Sequence, residues 1–273
     1  MAATNCLNFG SPEKPEVMWQ FSQAIDGIGE ACIALGTPIT GGNVSFYNET
    51  LGKSIYPTPV IGILGILDDA EKVTKIGFRN EGDAILLLDG SAASGDRRVA
   101  SGESNTGDRS IMAREFSSSE YAKTIGGIVA GEPPAIDLQA EMRLIELLVG
   151  LAATGAVEST HDLSDGGLAV TLAESCFSAK GLGADVNIEG EGNPELALFG
   201  ERGARAIVSV PAGKVGAVLA TARQYKVGAR EIGRVTRDNA LRIQYKDSVV
   251  VGAPVLALKD TWANSLQRNL GIQ

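Results

Sequence analysis

The amino-acid sequence predicts an α+β fold made of two mixed α/β domains, residues 1–80 and 81–273. Three observations lead to this prediction. Between residues 16 and 35, apolar side chains recur at steps of three and four, which is the spacing of one helix face. Residues 60–67 are apolar and β-branched, as in a buried strand. After residue 81, segments typical of strands and helices follow one another again, which indicates packed layers rather than a bundle or a sandwich.

The first predicted domain has one long helix between two strands. Pro15 suits the first turn of the helix, and Gly36 suits its end. The Gly41-Gly42 pair that follows predicts a turn. The predicted elements in order are the end of a strand or the loop after it at 7–10, the helix 16–35, the buried strand 60–67 and a short helix opened by 68–71.

The second predicted domain begins after a polar turn at residues 79–83. Residues 90–119 are rich in Ser, Gly, Asp and Arg, and they carry too little apolar surface to offset the entropy of ordering them. We therefore expect a flexible insert there. The other predicted elements are strands over 84–88, 206–210 and 241–245, a helix from 136–138 to Gly155, and helices over 168–177 and 214–225.

Charge and composition limit the possible partners. The net charge of −9 argues against a nucleic-acid or anionic-membrane surface, because both need a positive field. The sequence contains no apolar run of the roughly 18 residues that a membrane helix needs. The three cysteines are far apart and odd in number, which favours a reducing compartment over a disulfide scaffold. We expect a cytoplasmic protein that binds neither nucleic acid nor membrane.

Two short segments near the start combine Asn, Gly and small hydroxyl side chains. Asn5 lies in the first segment, and Gly42, Asn43 and Ser45 lie in the second. Glycine lets backbone N–H groups approach an anion, an Asn oxygen can bind Mg²⁺, and a Ser hydroxyl can donate to phosphate. Two interpretations stay open: a phosphate or nucleotide site shared by both segments, or a plain turn whose Asn side chains close onto their own backbone.

Two further residues invite a catalytic interpretation. His161, the single histidine, could act as a general base with a neighbouring Asp. We favour a structural role, in which Ser164 or Asp165 caps the next helix and His161 forms local hydrogen bonds. Glu201 could hold Mg²⁺, but a surface ion pair with Arg205 is the more frequent arrangement.

Six segments, in order along the chain, carry a family resemblance: residues 4–16, 41–49, 55–62, 131–137, 161–169 and 197–201. Together they resemble the small-type synthetase subunit of phosphoribosylformylglycinamidine synthase, which belongs to the PurM-like superfamily. The resemblance covers nearly the whole chain, and only residues from about 90 to 116 depart from it.

The resemblance implies a fold and an activity. Members of this family have two homologous halves, each with an N-terminal-type and a C-terminal-type PurM-like domain. This chain is expected to correspond to the second half, with its N-terminal-type domain truncated. The implied enzyme is an ATP-dependent carbon–nitrogen ligase of de novo purine biosynthesis that converts formylglycinamide ribonucleotide to formylglycinamidine ribonucleotide. The reaction passes through an iminophosphate that ammonia attacks.

The resemblance also implies partners. Ammonia would come from glutamine on a separate glutaminase subunit, and a small bridging subunit would complete the complex. PurM-like N-terminal-type domains pair through their sheets, so a homodimer through residues 1–80 is a further expectation.

Carried over by position, the resemblance assigns site residues. Asn5 and Gly42 would contact ATP, Asn43 would bind Mg²⁺, and Ser45 would contact the substrate. Many relatives have Asp where Asn5 stands, so this chain keeps an acceptor but loses a charge there. The family's catalytic histidine, ATP lysine and acidic Mg²⁺ ligands belong to the first half. We therefore expect no catalytic residue in this chain and no activity without that half.

Two alternatives to this function remain. One is a stand-alone nucleotide-binding or dimerising module. The other is a different PurM-superfamily synthetase, such as aminoimidazole ribonucleotide synthetase or a selenophosphate synthetase. The segments around Asn5 and Ser45 favour the formylglycinamidine enzyme over both.

Overall fold

The computed structural model describes residues 1–91, 116, 118–177, 181–190 and 193–271, and these form two compact units, Met1–Ala70 and Glu71–Gln273. The chain divides after Ala70, whereas the sequence predicted a division after residue 80. The intervening residues lie with the second unit because Phe78 is buried in its core. The Phe78 N–H also donates to the Ser175 carbonyl at 2.8 Å.

The first unit is a three-stranded sheet with one long helix. The sheet order is β2-β1-β5, with β1 parallel to β2 and antiparallel to β5. A short antiparallel hairpin, β3–β4, lies between β2 and β5 in the sequence. The bounds are β1 (Ala2–Asn8), α1 (Pro15–Ala34), β2 (Ile39–Ser45), β3 (Glu49–Thr50), β4 (Lys53–Ser54) and β5 (Thr58–Leu64).

The core of this unit is small and aromatic. Leu7, Phe9 and Val17 are buried, and they join β1 to the start of α1. Phe21 of α1 contacts two rings edge to face, with centroid distances of 5.3 Å to Phe9 and 4.9 Å to Phe46. The predicted helix is thereby confirmed, and its apolar face packs on β1.

Two predictions for this unit were wrong. Gly41 and Gly42 form part of strand β2 instead of a turn, because both pair with β1. The strand predicted over 60–67 exists as β5, but every residue of it is exposed, since it lies at the sheet edge and the core forms around β1. The short helix predicted to open at 68–71 is a single 3-10 turn, Ala70–Lys72.

The second unit is built on a seven-stranded mixed sheet, in the order β12-β11-β8-β10-β6-β9-β7. β8 and β11 are parallel, and the other neighbouring pairs are antiparallel. The strand bounds are β6 (Ala84–Asp89), β7 (Ser159–Asp162), β8 (Gly183–Ile188), β9 (Arg205–Val210), β10 (Gly228–Thr236), β11 (Ala240–Tyr245) and β12 (Ser248–Pro254).

Helices cover both faces of this sheet. Side chains alternate along β6, so Ile85 packs in one core and Leu86 packs in another. The first core includes α4, α5 and the start of α7, and the second includes α3 and α6. The helix bounds are α2 (Glu120–Gly126), α3 (Leu138–Ala153), α4 (Gly167–Phe177), α5 (Pro194–Phe199), α6 (Val215–Gln224) and α7 (Val255–Asn269).

The other sequence predictions concern three strands of the second unit, the insert and a membrane crossing. The predicted strands at 84–88, 206–210 and 241–245 are confirmed as β6, β9 and β11. The predicted flexible insert lies largely outside the described residues, which resume continuously at residue 118. Within the described ranges, none of the helices combines the length and apolarity that a membrane crossing requires.

Candidate functional site

The structure brings the four predicted site residues together on two neighbouring strands. Asn5 of β1 pairs with Gly42 of β2, and the next positions of β2 carry Asn43 and Ser45. β2 is an edge strand of its sheet, so alternate N–H groups along it have no sheet partner. The arrangement therefore offers backbone donors and polar side chains along one edge.

Asn5 and Gly42 make an unusually close contact. A Cβ atom at Gly42 would lie 2.3 Å from Asn5 Oδ1 and 2.6 Å from the Asn5 carbonyl oxygen. Only glycine leaves room for the Asn5 carboxamide to lie over the strand. Asn5 Nδ2 also donates to the Asn43 carbonyl in a long hydrogen bond of 3.4 Å. Asn5 therefore connects both strands of the candidate site.

Asn43 and Ser45 project on the face of β2 opposite to that of Gly42, since side chains alternate along a strand. Asn43 is exposed, and among the described residues its side chain has no hydrogen bond. Ser45 is half-buried, and its Oγ lies 3.3 Å from Asn48 Oδ1. Asn48 Nδ2 donates to the Ser45 carbonyl at 2.9 Å and to the Phe9 carbonyl at 3.0 Å. Asn48 thus fixes the orientation of Ser45.

The donor set fits only part of a Mg²⁺ site. The Asn43 carboxamide can offer one neutral oxygen, which is a suitable ligand for Mg²⁺. No group of three or more His, Cys, Asp or Glu side chains placed to hold a metal occurs within the described residues. Glu49 is already engaged, because Lys14 Nζ donates to its Oε1 at 2.5 Å and thereby holds the pKa of this carboxyl below its usual range. Carboxylates that neutralise the ion would have to come from elsewhere.

His161 and Glu201, the two other candidates, lie in the second unit and have structural partners. His161 is buried on β7, with Nε2 at 3.0 Å from Glu174 Oε2. Glu201 Oε1 accepts from the Glu120 N–H at 2.9 Å and from the Gly166 N–H at 2.8 Å. The Glu201 carboxylate therefore joins the start of α2 to the turn before α4.

Sequence reasoning missed a pocket of about 190 Å³ beside Glu201. Asp89 and Arg202 form a bidentate ion pair next to it, with side chains 9% and 16% exposed. Glu141 Oε1 accepts from the Ala204 N–H at 2.7 Å. The pocket is lined by Ser91, Pro134, Ala135, Ile136, Asp137, Glu141, Glu201, Arg202, Gly203 and Ala204. The signal in the sequence for this pocket is the pair of motifs at 131–137 and 197–201, which supply residues to its lining.

Two family models match the chain. The N-terminal domain of AIR synthase related protein matches residues 1–67, and the C-terminal domain of the same family matches residues 80–246. The chain belongs to the AIR synthase related family. The expected order of an N-terminal-type and a C-terminal-type PurM-like domain is confirmed.

Curated members of this family are similar to the chain over most of its length. Phosphoribosylformylglycinamidine synthase subunit PurL of Parafrankia sp. is 46% identical over 236 residues, which cover 86% of this chain and 28% of that protein. The subunit PurL of Thermobifida fusca is 41% identical over 271 residues, covering 99% and 32%. The chain thus spans about a third of the length of these relatives.

Solved structures of T. maritima PurL share the fold. The PurL complexed with ATP has a TM-score of 0.64 at 19% identity, with 95% of this chain and 37% of that chain covered. The PurL complexed with FGAR has a TM-score of 0.66 at 20% identity, covering 95% and 39%. The structure of PurLQS from the same organism has a TM-score of 0.67 at 19% identity, covering 95% and 38%.

Proposed function

We propose that this chain is the part of a phosphoribosylformylglycinamidine synthase that supplies one wall of the ATP and substrate site. The observation that carries the proposal is the 46% identity to a curated PurL over 86% of the chain. The whole enzyme would be an ATP-dependent carbon–nitrogen ligase that converts formylglycinamide ribonucleotide to formylglycinamidine ribonucleotide in purine biosynthesis. Glutamine would be its nitrogen donor.

Asn5 and Gly42 are proposed to contact ATP. Their close approach at the edge of the sheet supports this role. Because Gly42 has no side chain, the backbone N–H groups of β2 near it are accessible to phosphate oxygens. The uncharged Asn5 carboxamide offers ATP one hydrogen-bond acceptor, its oxygen, and one donor group, its NH₂. The T. maritima relative has been solved with ATP, which is consistent with an ATP site in this family.

Asn43 is proposed as one Mg²⁺ ligand and Ser45 as a substrate contact. Asn43 is exposed, and it has no side-chain hydrogen bond within the described part of the chain. Ser45 is held by Asn48, so its hydroxyl oxygen has a fixed place and can still accept a hydrogen bond. Mg²⁺ would neutralise phosphate charge there, whereas Asn43 would bind the ion and Ser45 would orient the substrate.

This chain alone is proposed to be inactive. Phosphoryl transfer depends on positioning and charge neutralisation, and the described residues offer a single neutral metal ligand at the candidate site. We propose that the remaining ligands and the catalytic groups come from the other part of the enzyme. A glutaminase subunit and a small bridging subunit are the proposed partners of the whole assembly, in the cytoplasm.

The first unit is proposed to pair through its sheet with a second copy or with a related domain. β5 exposes aliphatic side chains along its length, with Val60, Ile63 and Leu64 52%, 60% and 73% exposed. An apolar strand exposed in this way at a sheet edge favours pairing. Light scattering should show a dimer that Ile63→Glu weakens, and a clean monomer would contradict the homodimer.

Replacement of the matching third of the Thermobifida fusca PurL by this chain tests the proposed function. The chimera should form formylglycinamidine ribonucleotide from ATP, formylglycinamide ribonucleotide and ammonium, and this chain alone should not. A folded chimera that binds neither substrate nor ATP would contradict the proposal. Turnover by the isolated chain would show that the groups placed outside it are not needed.

Point variants of the chimera separate ligand binding from folding. Asn43→Ala should lower activity by at least about tenfold, in the range that metal-site changes produce. Asn43→Asp should restore part of the activity, since it returns an oxygen ligand. Gln23→Ala, on the exposed face of α1, is the matched control and should change nothing.

The alternative synthetases of the same superfamily are not favoured. The similar curated proteins are named as PurL, at identities of 46% and 41% over most of the chain. A binding titration of the chimera that compares formylglycinamide and aminoimidazole ribonucleotides would separate the two readings.

A further inference from the structure

A chain of three side chains joins β7 to the C-terminal helix α7 through α4. His161 Nε2 lies 3.0 Å from Glu174 Oε2, and the Trp262 indole N–H donates to Glu174 Oε1 at 2.9 Å. The Glu174 carboxylate is thus shared between the single histidine of this chain and a tryptophan of α7.

The hydrogen bonds and ring contacts that α7 makes with other described elements lie between its start and Trp262. Val255 is buried at its start, and Leu258 packs against the same core. Lys259 Nζ donates to the Phe177 carbonyl at 2.5 Å, and the rings of Phe177 and Trp262 lie 5.6 Å apart. Within the described residues, Trp262 is the most C-terminal side chain of α7 that has a hydrogen bond or ring contact with another element. Its bond to Glu174 is therefore placed to decide whether the second half of α7 stays docked.

We propose that His161, Glu174 and Trp262 form a proton-operated latch, which holds α7 on α4 when His161 is protonated and loosens when His161 loses its proton. An imidazolium gives Glu174 a charge-assisted hydrogen bond and a counter-charge. Neutral imidazole leaves a carboxylate that is only 25% exposed without that counter-charge, and such a group gains by turning toward water. Glu174 then releases the indole N–H.

The surroundings of His161 favour the protonated form. Burial lowers the pKa of His161, but the carboxylates of Asp162 and Glu174 raise it by more, so it lies above its ordinary 6.5. Asp162 is on the same strand, with Oδ1 at 3.4 Å from Nδ1. The position opposite on β9 is the apolar Ile207.

Two lysines lie on segments that pack against α4 and β7. Lys259 is the basic residue of α7 on the α4 side, and its ammonium is held by the Phe177 carbonyl. Lys75 lies on the segment beside β7. Its backbone carbonyl accepts a hydrogen bond from the Thr160 N–H, so Lys75 contacts β7 through its backbone.

The pH range of the latch follows from the raised folded-state pKa of His161. The stabilisation of the docked α7 is complete below about pH 6.5, and it is lost as the pH rises through that folded-state pKa.

Nuclear magnetic resonance on the full chain tests this directly. A Trp19→Phe background leaves Trp262 as the remaining tryptophan, and His161 gives a single set of imidazole signals. The indole N–H signal of Trp262 should shift with the same midpoint as His161. After correction for the intrinsic rise of the exchange rate with pH, the protection of that N–H against exchange with solvent should fall above the midpoint. An indole signal that does not change through the His161 titration would overturn the proposal, and this measurement needs no latch variant.

Variants then assign the coupling to Glu174. Glu174→Gln should lower the His161 midpoint, because a carboxylate that raises the pKa of His161 is removed, and it should also remove the pH dependence of the indole signal. His161→Gln should also remove that dependence. Glu146→Gln, on an exposed part of α3, is the matched control and should leave both signals unchanged. If Asp162→Asn moves the midpoint while Glu174→Gln does not, His161 simply pairs with its neighbour and the latch is refuted. These results are independent of the proposed enzyme activity.

Discussion

Gly42→Ala should separate the two strands that carry the candidate site. The added Cβ would lie 2.3 Å from Asn5 Oδ1 and 2.6 Å from Asn5 Cγ. A rotation of the Asn5 side chain cannot relieve the clash, because the Asn5 backbone carbonyl is also 2.6 Å away. Overpacking of this kind costs about 1–3 kcal/mol.

Gly41→Ala is the matched control for this change. The two glycines are neighbours on β2, but a Cβ at Gly41 would meet nothing within 4 Å. Replacing a strand glycine without a clash reduces the entropy of the unfolded chain, so this variant should be neutral or stabilised by roughly 0.5 kcal/mol. The two alanine variants should therefore differ by at least about 1 kcal/mol.

Hydrogen exchange is the suitable assay, because it reports on β1 and β2 separately from the second unit. Exchange from the β1–β2 ladder should speed up in Gly42→Ala and stay unchanged in Gly41→Ala, and urea unfolding should follow the same order. The chimera with Gly42→Ala should lose activity as well. Equal exchange rates in the two variants would refute the claim that Gly42 is required by the approach of Asn5.

The second unit gives three further predictions. Glu201→Ala should lower the free energy of unfolding of the second unit by about 2–4 kcal/mol in urea, because two backbone N–H groups lose a charged acceptor. Glu146→Ala, at an exposed position, is the control. An equal loss of stability in both variants would contradict the role of Glu201. Asp89→Ala should cost about 3 kcal/mol, since it removes the carboxylate that pairs with Arg202, and an unchanged urea midpoint would contradict this. Burial raises the pKa of Cys176 to about 12, so only about one thiol in ten thousand is ionised at pH 8. Thiol titration of the native chain should detect the other two cysteines and reach this one only after unfolding; equal labelling of all three would contradict its burial.

The helices and central strands could be predicted because their patterns are local. The apolar spacing that predicted α1 and α3 follows from packing on one face. The uninterrupted apolar run of β6 follows from burial on both faces of its sheet. Asp137 accepts from the N–H groups of Gln139 and Ala140, as expected for the start of α3.

Other elements depend on partners distant in the sequence. β2 contains two glycines, which are poor strand formers, and it is a strand because it pairs with β1 across the long helix. β10 mixes charged, small and apolar residues without a regular alternation, and it is a strand because it pairs with β6 and β8 on either side. The burial of β5 was predicted wrongly because apolar character does not reveal whether a strand lies at an edge.

The candidate site also was predictable only in part. The sequence suggested that the segments of Asn5 and Gly42 share a site, and they do lie side by side. The roles of Asn5, Gly42, Asn43 and Ser45 stay predictions. The contacts of Glu201 could not be predicted, because its two donors come from segments 81 and 35 residues away.

Asn5 and Gly42 on one face of the β1–β2 edge, and Asn43 and Ser45 on the other, are proposed to contact ATP, Mg²⁺ and substrate. A crystal structure of the chimera with AMPPCP, and with Mn²⁺ in place of Mg²⁺ for anomalous scattering, tests this proposal most directly. Asn43 Oδ1 should lie within about 2.2 Å of the ion, close to the distance that Mg²⁺ takes to oxygen ligands. The phosphates should lie beside the Gly42 backbone. A structure in which nucleotide and metal bind without contacting any of these four residues would contradict their proposed roles.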